Sequence, residues 1–193
     1  MRIIHKGRSL ASTSDFFTAN NHANREHSLL TLSNHLKIII ATDASWDPLT
    51  NQSGFGFLIF TNAQKILFAG ASSGFCTSSM EAELNAILLS LDCCNSNHLT
   101  PDLLLSDCLA AINLIKDFNH HIGWRHSDTI HCIHQLLLLW PDLIIDHINR
   151  DSNAIADHLA HLGRLNPQLS LFFQGRDRPR WLEDACSNSN FFF

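Results

Sequence analysis

Apolar residues follow two different periods along the chain, and the change of period marks its architecture. Ile38-Ile39-Ile40-Ala41 is a continuous apolar run, the pattern of a strand buried on both faces, and it continues through Thr42, Asp43, Ala44 and Ser45. Asp47-Pro48 and Asn51 mark a turn. Gly54 to Phe60 predicts a second strand and Lys65 to Ala71 a third, joined by a short turn around Asn62, so the three predict an antiparallel meander. Helical spacing then takes over. Met80, Leu84, Ile87, Leu88 and Leu91 form one apolar stripe, begun by a capping box of Ser78 and Glu81. Leu103-Leu104-Leu105 predicts a buried fourth strand, followed by a helix with the stripe Cys108, Ala111, Ile112 and Ile115. A further helix is expected from Ser127 to Trp140, stopped by Pro141. Leu143 to Ile148 predicts a fifth strand, and Ser152 is read as the cap of a last helix running through Ile155, Leu159 and Leu162 to Gly163.

This order predicts an α/β domain with a mixed five-stranded sheet, the meander followed by parallel strands, and helices packed on both faces. The domain is expected to span residues 37–163. Residues 1–36 mix Ser, Thr, Asn and His without sustained periodicity and read as a flexible arm; residues 164–193 read as a tail, either solvated or docked on the core. No apolar run approaches the roughly 20 residues of a membrane-spanning helix, and no stretch in the first 37 residues suits a secretory signal. An intracellular monomer, nuclear or cytoplasmic, is therefore expected. The six cysteines contain no CxxC pair and are expected to be reduced thiols. His131/His134 and His158/His161 have helical spacing but lack a clustered third ligand, so solvated helix faces are the simpler reading than zinc.

Charge is unevenly distributed. The whole chain carries −5, while residues 37–163 hold five cations and 13 anions, a net −8. Phosphate affinity comes largely from Lys and Arg, so this acidic centre alone argues against generic nucleic-acid binding. Four carboxylates in it need explanation. Asp43 shares a strand face with Ile39 and Ala41, where an unpaired carboxylate is costly. Glu83 has no capping task, which falls to Glu81, and it borders the buried helical stripe. Asp107 stands where a buried strand gives way to a helix, a place for ligand groups but also for an ordinary N-cap. Asp157 shares a helix face with Asn153, beside the small residues Ala156 and Ala160, which permit close approach to a sheet. Converging carboxylates repel one another unless a cation intervenes; Mg2+ favours carboxylates, water and substrate phosphates.

The sequence blocks Ala41-Thr42-Asp43-Ala44-Ser45, Met80-Glu81-Ala82-Glu83-Leu84-Asn85-Ala86, Leu105-Ser106-Asp107 and Asn153-Ala154-Ile155-Ala156-Asp157-His158-Leu159-Ala160 resemble, in order and spacing, those of ribonuclease H type 1. The resemblance is closest to the reverse-transcriptase-like ribonuclease H domains of plant non-LTR retrotransposons and covers residues 37–163; Gly175 to Leu182 also resembles segments that follow such domains. It implies a ribonuclease H-like fold and Mg2+-dependent endonucleolytic cleavage of the RNA strand of RNA/DNA hybrids. Asp43, Glu83, Asp107 and Asp157 would be both catalytic and metal-holding, with two Mg2+ ions and Mn2+ as a substitute. Asp43 would bridge the ions, Glu83 and Asp107 would hold one, and Asp157 the other.

Two departures from the family stand out. The mobile histidine of the loop before the last helix is not read here; Arg150 occupies that region and, with Asn153, is a candidate substrate contact. The basic helical handle is also missing, since residues 116–141 contain only Lys116 and Arg125. Arg176, Arg178, Arg180 and Trp181 offer phosphate contacts and a stacking surface instead. The competing expectation is a catalytically weak or inactive retroelement-derived module that binds nucleic acid or protein.

Overall fold

The structure is a computed structural model, and it describes residues 37–117, 126–167, 170–173, 179–189 and 191. The expected arm, and Arg125, Arg176 and Arg178, lie outside these residues. The continuous apolar run becomes β1 (Ile38–Trp46), which is central in the sheet and buried on both sides. Ile39 and Ala41 enter one core, and Ile40 enters the other. β2 (Gln52–Thr61) and β3 (Ile66–Phe75) complete the antiparallel meander. β3 runs past the expected Ala71 because its ladder to β2 continues through Ser72, Ser73 and Gly74, polar or small residues without an apolar signal.

α1 (Ser79–Ser96) follows, capped by Ser78, and buries Leu84, Ile87 and Leu91 of the predicted stripe. Then come β4 (Leu103–Ser106), α2 (Leu109–Lys116), α3 (Ser127–Leu137) and β5 (Ile144–His147). α3 ends earlier than expected: Leu139 and Trp140 donate to carbonyls three residues back, tightening the chain just before Pro141. A 3-10 turn (Arg150–Ser152) leads into α4 (Ala154–Leu165). The N-cap of α4 is Asn153, not Ser152, which belongs to the turn.

The predicted five strands are present in the order β5-β4-β1-β2-β3, the last three antiparallel and the first three parallel. A sixth strand, β6 (Ser170–Phe173), pairs antiparallel with the outer side of β3, and α5 (Arg180–Asn188) follows it. α1, α2 and α3 cover one face, around Ile40, Phe57, Leu84, Ile115 and Ile130. α4 and α5 share the core on the other, around Ala41, Phe60, Leu159 and Leu182.

The described part of the tail is therefore docked. Leu182, Cys186 and Phe191 are buried, Phe191 meets Phe60 edge-on at 4.8 Å, and Trp181 packs near Phe173 and His158. Trp181 is thus occupied by protein rings and not presented as an open stacking surface. Leu182→Ala is expected to lower stability by about 2.5 kcal/mol, the usual scale for emptying a fully buried leucine site, measured by urea unfolding. A change near zero would mean that α5 does not hold to the core in solution.

Candidate metal centre

Sheet register begins the site. β1 and β4 run parallel, with Thr42 opposite Ser106, so Asp43 and Asp107 each lie one residue beyond that last pair. α1 brings Glu83 to the same place. Its N-terminus is set by Ser78, whose hydroxyl accepts the Glu81 N–H at 3.2 Å; the Glu81 carboxylate accepts from the Thr77 N–H and hydroxyl at 2.7 and 2.6 Å. With Glu81 so employed, Glu83, two residues on, faces inward.

Oxygens of Asp43, Glu83 and Asp107 all lie within 4.8 Å of one another. Asp43 is only 4% exposed, and its Oδ1 accepts the Ala44 N–H at 2.9 Å. Among the described residues, Asp43 Oδ2 and Glu83 Oε2 are buried without a hydrogen-bond partner. Burial, then repulsion from Asp107 and Glu83, pushes the Asp43 carboxyl up to about 9. Burial and Asp107 raise Glu83 to about 8, against the opposing pull of Arg150. A compensating cation would favour the ionised form of both carboxylates, and an all-oxygen set with orphaned buried oxygens suits a hard divalent ion.

Asp107 is not the N-cap of α2. That position is Cys108, which makes no side-chain cap bond; its N–H donates to Ser106 Oγ at 3.1 Å. The Asp107 carboxylate is left for the site. Asp157 stands apart from the compact trio, with its side chain 51% exposed on the first turn of α4. Arg150 joins it to the others: Nη2 lies 3.8 Å from Asp157 Oδ1, and Nε lies 4.0 Å from Asp107 Oδ2.

α4 reaches β1 because nothing larger than hydrogen separates it from β2. A Cβ on Gly56 would fall 2.2 Å from the Ala156 carbonyl oxygen, and one on Gly54 would fall 1.9 Å from that of Ala160. The small Ala156 and Ala160 thus serve the close approach expected of them. Asn153, buried at the start of α4, clamps the contact by donating Nδ2–H to the Thr42 carbonyl at 2.8 Å. Its Oδ1 has no partner among the described residues.

His147 is a further residue at the site, beside the candidates Arg150 and Asn153 of the same segment. It pairs with Ser106 across β4 and β5, and its Nε2 lies 3.2 Å from the Asp107 carbonyl oxygen. Only its position at the end of a predicted strand signalled a place at the sheet's carboxyl edge. Of the described histidines and cysteines, none joins a metal-holding group.

Residues 41–163 match the family described as reverse transcriptase-like. The chain belongs to the reverse transcriptase-like family. All four carboxylates lie within the matched span of this reverse transcriptase-like domain. Solved structures share its fold. RNase H1 from the halophilic archaeon Halobacterium salinarum NRC-1 superposes with a TM-score of 0.60 at 17% identity, over 66% of this chain and 96% of that one. LC11-RNase H1, isolated from compost and solved in complex with an RNA/DNA hybrid, gives 0.60 at 20% identity, over 66% and 96%. The prototype foamy virus protease-reverse transcriptase gives 0.55 at 20% identity, covering 70% of this chain and 22% of the viral one. No curated protein matches the chain in sequence. The reverse transcriptase-like domain therefore has a ribonuclease H fold, with an acidic group at the carboxyl edge of its parallel strands.

Proposed function

We propose that this reverse transcriptase-like domain is a Mg2+-dependent ribonuclease that cleaves the RNA strand of RNA/DNA hybrids endonucleolytically. The observation that carries the reading is the convergence of Asp43, Glu83 and Asp107 with buried, unpartnered carboxylate oxygens. Asp43, Glu83 and Asp107 would hold one ion, and Asp43 with Asp157 a second; Mn2+ would substitute. When bound, these ions neutralise the phosphate and activate the attacking water. The chain's own residues do the positioning. The β1–β4 register aligns Asp43 with Asp107, Asn153 clamps α4 and with it Asp157 to β1, and His147 buttresses the Asp107 backbone. Arg150, exposed at the rim, is the side chain best placed to meet a phosphate. Asn153 acts through the fold more than by direct substrate contact, since it is buried and committed to Thr42.

The hybrid would be distinguished by its 2′-hydroxyls and minor-groove shape, which needs no base-reading motif. The sequence blocks around the four carboxylates favour descent from a plant retroelement. The acidic balance of residues 37–163 favours the other reading, a binding module without turnover.

Incubation with end-labelled hybrid, duplex DNA and single-stranded RNA, in low salt with Mg2+, separates the two. Internal cuts confined to the RNA strand of the hybrid are expected. Hybrid binding without any cut, in protein that binds Mg2+, would favour the module. With few Lys and Arg to release counterions, activity is expected to fall only shallowly as salt is raised, and a steep fall would reveal phosphate contacts beyond Arg150.

A further inference from the structure

Arg150 stands between two parts of the site with different claims on it. Its guanidinium lies 4.0 Å from Asp107 and 3.8 Å from Asp157, at the outer range of an ion pair with each and bidentate to neither. The side chain is 79% exposed, so charge, not packing, holds it there. Its pull is also felt at half-buried Glu83. Asp157, meanwhile, is the one carboxylate outside the compact trio.

The geometry points to Arg150 as a built-in cation that competes with a divalent ion for Asp157. This rests on the metal reading above and concerns one half of the same site. Asp43 and Glu83 have little to lose when an ion arrives, because each has a buried oxygen without a partner among the described residues; within the trio Asp107 is the member that also meets Arg150. Asp157 already has a partner. A cation held there must overcome both the existing ion pair and the repulsion of a guanidinium a few ångströms away. Arg150 is thus a positioning residue: it makes the two halves of the site unequal, so that one ion binds readily and the second only when the arginine leaves Asp157. A phosphate, which can take a guanidinium bidentately, is a partner able to draw it off.

Mn2+ titration at low salt, read by calorimetry and by the electron paramagnetic resonance signal of the free ion, tests this without any turnover. The wild-type domain is expected to bind one ion tightly and a second weakly. Arg150→Ala should strengthen the second step about tenfold, the scale of removing one nearby exposed positive charge, and strengthen the first step less, because Asp107 alone of its three carboxylates is ion-paired to Arg150. Arg150→Lys, which keeps the charge, should stay near wild type. The gain should vanish in Arg150→Ala/Asp157→Asn, and the difference between wild type and Arg150→Ala should shrink as KCl is raised. An unchanged or weakened second step in Arg150→Ala, or a gain that survives loss of Asp157, overturns the inference while leaving the metal centre intact. Absence of any Mn2+ binding by wild type and variants overturns both. Arg150 is exposed, so none of these outcomes depends on rescuing the fold.

Discussion

Asp43→Asn is expected to reduce RNA-strand cleavage about 1,000-fold, the scale on which one strong transition-state contact is lost, while making the metal-free protein more stable. The two effects have one cause. Asp43 is buried beside Glu83 and Asp107, and one of its oxygens has no partner among the described residues. A neutral amide removes the repulsion and, with it, the charge that would hold a cation. Stability against pH gives the sign. Asp43 and Glu83 are raised to about 9 and about 8, so the folded chain binds their protons more tightly than the unfolded chain does. That contribution is fully present below pH of about 4, near the unfolded carboxylate values. It is lost progressively as pH rises and is gone once both groups have ionised, above about 9. Urea midpoints of metal-free protein should therefore fall across this window, and Asp43→Asn should flatten the fall. Mg2+ should oppose it, because the ion binds only the deprotonated carboxylates. Wild-type cleavage by Asp43→Asn, or an unaltered pH slope, would remove Asp43 from the centre of the site.

Gly56→Ala is expected to lower stability by more than about 3 kcal/mol, the upper range for overpacking. The new methyl carbon would lie 2.2 Å from the Ala156 carbonyl oxygen and 2.3 Å from the Ala160 nitrogen. Both are backbone atoms of α4, so no side chain can turn aside; the helix must lift. Asp43 pairs with Gly56 across β1 and β2, and the lifted helix carries Asn153 and Asp157. Mn2+ affinity on the Asp157 side should therefore weaken along with the unfolding midpoint. Gly74→Ala is the control: its methyl would meet the ring of Phe55, a side chain that can shift, and a loss of about 1 kcal/mol is expected there. Equal effects at the two glycines would show that close helix-sheet contact does not hold α4 in place.

Most of the element order was legible because the apolar period changes where the structure changes. Ile38 to Ala41 is apolar at every position because β1 is covered on both faces, and Met80 to Leu91 is striped because α1 is covered on one. Polar extensions of regular structure left no such trace. Ser72 to Gly74 stay in β3 through backbone pairing alone. The tail was ambiguous for a different reason: Leu182, Cys186 and Phe191 are apolar enough to dock, but it takes the folded sheet, with Leu58, Phe60 and Ile66 on one face of β2 and β3, to give them somewhere to go.

The site divides in the same way. Local chemistry in the sequence determined that Asp43 was out of place in a buried strand and that Glu81, by serving the cap, left Glu83 free. Whether Asp107 was a cap or a ligand could not be settled from its neighbours, since a strand-to-helix junction suits both. Tertiary structure removes the cap reading, through Cys108 at the cap, and the parallel pairing of Thr42 with Ser106 sets Asp107 beside Asp43. Structure alone also placed His147 against Asp107 and separated Asp157 from the trio, with Arg150 between. These are contacts between segments far apart in the chain, and their distances depend on sheet register and on how closely α4 settles over Gly54 and Gly56. Periodicity reports which face of an element is buried; it carries no information about how near two buried faces come, and that nearness is what assembles the carboxylates.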